Sequence, residues 1–441
     1  MVKLWKTGIT AFSGILALLV VAQPAAAKQT FELAQFIAAA ACADCHSEIA
    51  EQWTNSMHHQ AHRDPVYSRV AKFLRKGLTH EGEIAEAESC VKCHTPVGVV
   101  TGFPTKLSDD LSKTPEIAQD GIQCDFCHSA VDVSRMYNNG LVLAPGQGED
   151  DPGVKYGPFD DAEPDFHEAE YSKLHTQAKF CGTCHDVRHV AFDTPLETTY
   201  TEWKNSPYNS EDPSKAVSCQ GCHMYQRPGI PATGSTPRPE NPGAATDYSE
   251  ERPHIFTHYF VGANSGVPAM FEDETKPAMA RERLQNAADI SVKAGQGGLI
   301  VTVANTGAGH SIPTGLADLR QVWLETVVLD AGGDILFGNG VMNKDHTLPK
   351  DAPVFGTVFG DGKGNPVVNI AKAREVLKDN RIKAGQKAEQ KIDLPKDLPK
   401  GAKVRVRLLY RSVSQKVLNL IPGEKIPPFP VVEMVRAEIR L

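Results

Sequence analysis

The pattern Cys-x-x-Cys-His occurs five times in this chain, as CADCH from Cys42, CVKCH from Cys90, CDFCH from Cys124, CGTCH from Cys181 and CQGCH from Cys219. All ten cysteines belong to it. Two thiols three positions apart can form thioethers to the two vinyl groups of one haem, and the histidine that follows can ligate the iron from the proximal side. The motifs therefore predict five covalent haem c groups, held by Cys42 and Cys45, Cys90 and Cys93, Cys124 and Cys127, Cys181 and Cys184, and Cys219 and Cys222. His46, His94, His128, His185 and His223 are the proximal ligands in that reading. Chance would supply roughly 0.01 copies in a chain of this length. Zinc ribbons also use Cys-x-x-Cys, but they need two pairs per metal, and here the pairs are odd in number and each precedes a histidine. A disulfide scaffold fits the even cysteine count and leaves the five histidines unexplained.

The chain has 441 residues, 46 Lys plus Arg against 54 Asp plus Glu, and a formal charge of -8. That balance suits two domains with an acidic surface, points away from nucleic acid, and favours partners with basic docking patches, chiefly through the association rate. The N-terminus reads as a secretory signal: Lys3 and Lys6 form a positive region, 9–22 an apolar one, and Ala25, Ala26 and Ala27 a small-residue cleavage site. Export to the periplasm or beyond agrees with thioether attachment, and no other segment is apolar enough to span a membrane.

The elements that must position five haems are short. Ile49, Trp53 and Met57 recur at helical spacing after the first motif, predicting a helix that carries His58 and His62 on one face. His58 and His62 at that spacing could also take copper or zinc. Residues 68–76 predict a second helix. Residues 95–120 and 138–164, rich in Gly, Pro and Asp, predict loops, and 227–243 an extended surface connection. The motifs are irregularly spaced, which argues against a solenoid. So little polypeptide per haem implies close haem packing. From Asp289 the texture changes to period-two alternation at Ile290/Val292, Leu299/Val301/Val303, Val322/Leu324/Thr326/Val328 and Val404/Val406/Leu408/Tyr410. The fold expected is α+β: a mainly helical and loop multihaem domain over 28–288, followed by a C-terminal β-sandwich-like domain over 289–441 that holds one helix at 371–378.

Taken together, CADCHSEIAEQWTNSMH, CVKCHTP, GIQCDFCH, FCGTCHDV, EWKNSPYNS before CQGCHM, HYFVGAN and GHSIPTG with Arg320 and Trp323 resemble the multihaem cytochromes c related to the tetrahaem carrier of ammonia oxidisers. In layout the chain resembles longer secreted members with a C-terminal β-domain. The resemblance covers the stretch from near Cys42 to Trp323, with a weaker echo at LLYR ending in Arg411. It implies bis-histidine haems, with distal ligands from His58, His167, His175, His258 and His310; His59, His62, His80, His189, His254 and His346 stand in reserve. Relatives that act on nitrite replace one motif histidine by lysine, and those that oxidise hydroxylamine carry eight haems; this chain departs from both. The role implied is a secreted pentahaem electron carrier between a membrane quinol-linked donor and a terminal acceptor. The alternatives are an oxidoreductase acting on a small nitrogen or sulfur species at an open haem, with His80, His189 or Arg188 positioning substrate, and a subunit of an extracellular haem filament.

Overall fold

The computed structural model describes Met1 and residues 30–441. The secretory signal expected at the N-terminus lies outside the described residues. Among them no helix is long and apolar enough to cross a membrane. The chain is a mixed α+β protein: short helices and small two-stranded sheets in its first part, longer strands in its last.

Each motif folds locally as about one helical turn, because a five-residue Cys-x-x-Cys-His can close a bond from the histidine N–H back to the first cysteine carbonyl. His46 N–H reaches Cys42 O at 3.0 Å, His94 reaches Cys90 O at 3.2 Å and His185 reaches Cys181 O at 2.9 Å. The turn brings both thiols and the imidazole to one side. Side chains fix where two of these turns start: the Gln123 carbonyl oxygen accepts from Asp125 N at 2.7 Å, and Ser218 Oγ from Gly221 N at 3.3 Å. The helix Pro65–Arg75 shows the same logic at greater length. Asp64 caps it through Val66 N at 2.7 Å, Pro65 supplies a preset first residue, and Val66, Tyr67, Val70, Ala71 and Leu74 form its buried face.

Three expectations are corrected. The helix after the first motif ends at Trp53; Asn55 takes a left-handed φ of 61°, and His58 and His62 flank a separate turn, His59–Ala61. His58 and His62 therefore bracket that turn and do not lie on a continuation of the first helix. The 138–164 stretch is less irregular than its composition suggests, holding the strands Gly140–Leu143 and Val154–Gly157. Where a helix was expected at 371–378, the chain makes a turn at Ile370–Lys372 and a strand at Glu375–Asp379, paired with Thr357–Gly360.

In the last part, Gly298–Asn305 pairs on one side with Ala288–Gly295 and on the other with Lys387–Asp393, making a three-stranded antiparallel sheet. Gln321–Leu329 pairs with Ile335–Asn339, Val354–Phe355 and Lys403–Arg411, and Lys403–Arg411 with Val432–Arg440, making a five-stranded one. Both sheets feed one core in which Leu299, Val301, Val303, Val322, Leu324, Val404, Val406 and Leu408 are wholly buried. A second cluster joins the two parts of the chain. Val66, Val70, Leu74 and Ala87 from the haem region meet Phe359, Ile370, Ala371, Val417, Leu418 and Phe429. At roughly 1.5–3 kcal/mol for each large side chain buried, this contact fixes one part against the other.

Candidate haem-binding site

The five motif histidines share one arrangement. His46 Nδ1 donates to Ala245 O at 2.7 Å, His94 to Ala61 O at 2.9 Å, His128 to Tyr156 O at 2.7 Å and His223 to Val261 O at 2.9 Å, while His185 donates to the carboxylate Oε1 of Glu197 at 3.3 Å. A hydrogen bond from Nδ1 settles the tautomer and the ring direction, leaving the Nε2 lone pair for a metal. Burial also holds His94, His128 and His223 below the usual histidine pKa, which keeps the imidazoles neutral. His185 differs. Desolvation opposes its protonation, but Glu197, followed by the thiols of Cys181 and Cys184, carries it up to about 9.

Opposite four of these rings stands a second histidine. The centroids are 6.4 Å apart for His46 and His167, 6.2 Å for His58 and His185, 6.4 Å for His128 and His258, and 6.5 Å for His223 and His310, with interplanar angles of 20°, 31°, 25° and 19°. Two imidazoles ligating one iron from opposite faces, each through a bond of about 2 Å, place their centroids about 6 Å apart. The residues thus fit haem held between paired histidines. Three of the facing histidines are also anchored through Nδ1, His167 on Glu168 O at 2.9 Å, His258 on Phe256 O at 2.9 Å and His310 on Ser311 O at 3.0 Å. The Nδ1 of His58 is buried without a partner. Burial pushes both His58 and His258 down to about 3, so each is neutral at any ordinary pH.

Remote segments deliver these four rings. His58 is set by the turn before the third motif: Ile122 N donates to His58 O at 3.0 Å, and Trp53 Nε1 donates to Ile122 O at 2.9 Å. Gly121 makes that approach possible, since its φ is 64° and a Cβ there would meet His58 O at 2.4 Å. His258 is held by its backbone N–H on Gln52 Oε1 at 2.8 Å, and Phe260 contacts both His58 and His258, at 4.4 and 5.3 Å between centroids. His167 precedes the strand Glu168–Tyr171, whose parallel partner Val154–Gly157 contains the Tyr156 carbonyl that anchors His128. His310 comes from the C-terminal part. Asn305 Nδ2 donates to its carbonyl at 2.7 Å, and Glu202 Oε2 accepts from Ser311 N at 2.9 Å and from Thr314 Oγ1 at 2.7 Å.

His175 is placed otherwise. Its Nε2 donates to Cys127 O at 3.0 Å, and its ring stacks beside His128 at 5.6 Å, so the atom that an iron would take is already engaged. Among the described residues no histidine ring is stacked opposite His94; Tyr67 lies flat against that ring at 3.8 Å and 4°. The remaining histidines have other work. His189 is buried, donates from Nε2 to Ala371 O at 2.9 Å and accepts at Nδ1 from Ala191 N and Phe192 N. His80 Nδ1 caps the next helix through Gly82 N, and Arg188 pairs with Asp193 at 2.9 Å. None of His80, His189 and Arg188 is a free group beside a haem-facing ring. His62 Nδ1 meets Thr95 Oγ1 at 2.8 Å, His59 stacks on Trp53 at 4.2 Å, and His254 stacks on Tyr225 at 3.9 Å.

The motifs also touch one another. The thiol of Cys42 lies against that of Cys124, Cys93 against Cys184, and Cys181 against Cys219, while Cys127 sits within electrostatic reach of Cys181 and Cys184. The fourth motif therefore borders the second, third and fifth. Nothing in the sequence singles out Glu197, and Glu202 stands there only as the first residue of the EWKNSPYNS stretch, with no role attached. Glutamates are common, and these two acquire a role only when the fold brings them to His185 and to the His310 loop.

Residues 41–129 match the family model described as cytochrome c554 and c-prime. No curated protein matches the chain. Among solved structures, a penta-heme cytochrome c552 from Thermochromatium tepidum is similar in fold, with a TM-score of 0.61 at 19% identity, covering 93% of this chain and 100% of that one. The five Cys-x-x-Cys-His motifs, the c554 match over residues 41–129 and a fold shared along nearly the whole length together support a place for the chain among the multihaem cytochromes c.

Proposed function

We propose that this protein is an exported pentahaem electron carrier that passes electrons between a membrane quinol-linked donor and a terminal acceptor. The likeness to multihaem cytochromes c supports electron transfer in general. The observation that carries the finer reading is the set of four facing histidine pairs, most of them with Nδ1 anchored. When bound, haem c supplies a one-electron iron couple. The chain's part is to hold both imidazoles of a pair in fixed orientation, so that gaining or losing an electron requires little rearrangement, and to tune the couple through hydrogen bonds and burial. Paired imidazoles also leave no position for substrate. The thiol contacts between motifs support close haem packing and hence transfer from one to the next. The domains proposed are a haem domain over 28–288 and a β-sandwich-like domain over 289–441, with His310 reaching from the second to complete a site in the first.

The surface around His46 and His167 suggests where a partner docks. Asp44, Glu48, Glu163, Asp165 and Asp247 are exposed close to them in sequence or by contact, with Phe166 and Tyr248, while Asp161 pairs with Arg252 at 2.6 Å. Such a surface suits a basic redox protein. Mixing the reduced holoprotein with a small basic cytochrome tests the carrier reading. Transfer should be fast at low ionic strength and slow steeply as salt is added, and absence of transfer at any salt concentration would overturn it.

A second reading is kept because of His94, opposite which no histidine ring is stacked among the described residues. A haem there with an open face would make the protein an oxidoreductase for a small nitrogen or sulfur species. Binding of nitrite, nitric oxide or cyanide to one haem in five, with turnover, would favour it over the carrier.

A further inference from the structure

We propose that Glu197 is a redox-tuning residue, which holds the haem of the fourth motif at the lowest potential of the five by drawing the Nδ1 proton of His185 toward its carboxylate. The proposal rests on the paired-histidine reading above and goes beyond it. Four motif histidines donate to backbone carbonyls, at Ala245, Ala61, Tyr156 and Val261, and only His185 donates to a carboxylate. A carbonyl offers a fixed dipole, whereas a carboxylate offers a full negative charge. An imidazole that shares its Nδ1 proton with a carboxylate becomes a stronger donor through Nε2, which favours ferric over ferrous iron.

The local chain is built to make this contact. The fourth motif runs directly into the strand Val187–Arg188; the chain turns at Asp193, in a left-handed conformation, and returns as Pro195–Glu197, with Val187 opposite Glu197. The hairpin thus carries Glu197 back beside the ring it follows in sequence. The Glu197 side chain is 15% exposed, and among the described residues its only ion-pair partner is His185. Thr199 Oγ1 donates to Glu197 Oε1 at 3.4 Å and contacts Thr314 Oγ1 at 2.8 Å, which fastens the carboxylate to the C-terminal part of the chain. Across the pair, His58 has a buried Nδ1 with no partner. Support for the two imidazoles is therefore unequal, with the charge on the His185 side alone.

The position of the fourth motif gives this a consequence. It borders the second, third and fifth motifs, so a haem there is a junction. At a junction of low potential the single electron arriving from one neighbour is passed to another and is not retained. Bound haems around it, with motif histidines that donate only to carbonyls, would hold the reducing equivalents instead.

The test uses the holoprotein with Glu197→Gln and Glu197→Asp, haems counted, each followed by potentiometric titration with electron paramagnetic resonance. Glutamine keeps an acceptor and removes the charge; aspartate keeps the charge and draws the oxygen back from Nδ1. Both changes should raise the midpoint potential of one haem and move that haem's g values, leaving the other four in place. The proposal is overturned if neither change moves any potential, or if Glu197→Gln shifts all five together while Glu197→Asp behaves as wild type. Should glutamine cost the fourth haem, the aspartate variant alone decides by the same criterion. Failure of the underlying reading is separable, because it shows in the wild type as fewer than five haems or as too few low-spin signals.

Discussion

The rings of His223 and His310 face each other 6.5 Å apart and 19° from parallel, although one belongs to the fifth attachment motif and the other to a loop between strands of the C-terminal sheets. Burial keeps both imidazoles below the usual histidine pKa, and Nδ1 of each is occupied, by Val261 O and Ser311 O. The β part of the chain is in this way tied to the haem part by a prospective metal bond as well as by the Phe359 and Val417 cluster.

Replacing His310 by alanine should convert one haem from six-coordinate low-spin to five-coordinate or water-bound, with a shift in one potential. The other four should keep their spectra. The measurement is electron paramagnetic resonance of the oxidised variant beside wild type; an unchanged spectrum would mean that His310 is only a loop residue.

His58 and His175 make an informative pair of variants because both lie close to motif histidines and only one offers a free Nε2. His58→Ala should open the haem of the fourth motif. His175→Ala removes the bond from Nε2 to Cys127 O and should leave the number of low-spin haems unchanged. Its cost should be one of stability, about 0.5–1.5 kcal/mol for one hydrogen bond lost, since Cys127 O keeps the Ser129 N–H, read as a lower denaturation midpoint. A low-spin haem lost in His175→Ala and retained in His58→Ala would reverse the assignment.

Asp318 offers a test in pH. Desolvation raises its carboxyl from 3.8 to about 6, and its Oδ1 is buried without a partner. A raised carboxyl favours folding while it is protonated in both states, below about 4, and that advantage is lost as pH rises through about 6. Asp318→Asn should therefore raise the melting temperature at pH 7, by the equivalent of on the order of 1–2 kcal/mol, and change little at pH 4. Equal melting temperatures for variant and wild type at both pH values would contradict it.

The residues expected to attach haem are legible in the sequence because thioether chemistry would fix their spacing: two thiols and an imidazole must lie on one helical turn, and only a local pattern can do that. The β texture from 289 onward is legible for a similar reason, since strands half-buried on a shared core alternate, as Leu299, Val301 and Val303 do. What lies opposite each motif is not local. His258 faces His128 because Gln52 holds its backbone N–H, and His58 faces His185 because Gly121 lets another segment pass within contact of its carbonyl. No periodicity records such approaches. The helix expected through His58 failed at Asn55, where a left-handed residue ends what the apolar spacing would continue. His175 had the right residue type in a promising context, and only the position of the Cys127 carbonyl shows that its Nε2 is taken.

The most direct measurement is a haem count on the purified holoprotein joined to electron paramagnetic resonance of its fully oxidised form. Five covalent haems per chain are expected, at least four of them low-spin with two imidazole ligands, matching the pairs His46 with His167, His58 with His185, His128 with His258 and His223 with His310. Fewer than five haems, or fewer than four such low-spin centres, would contradict the account.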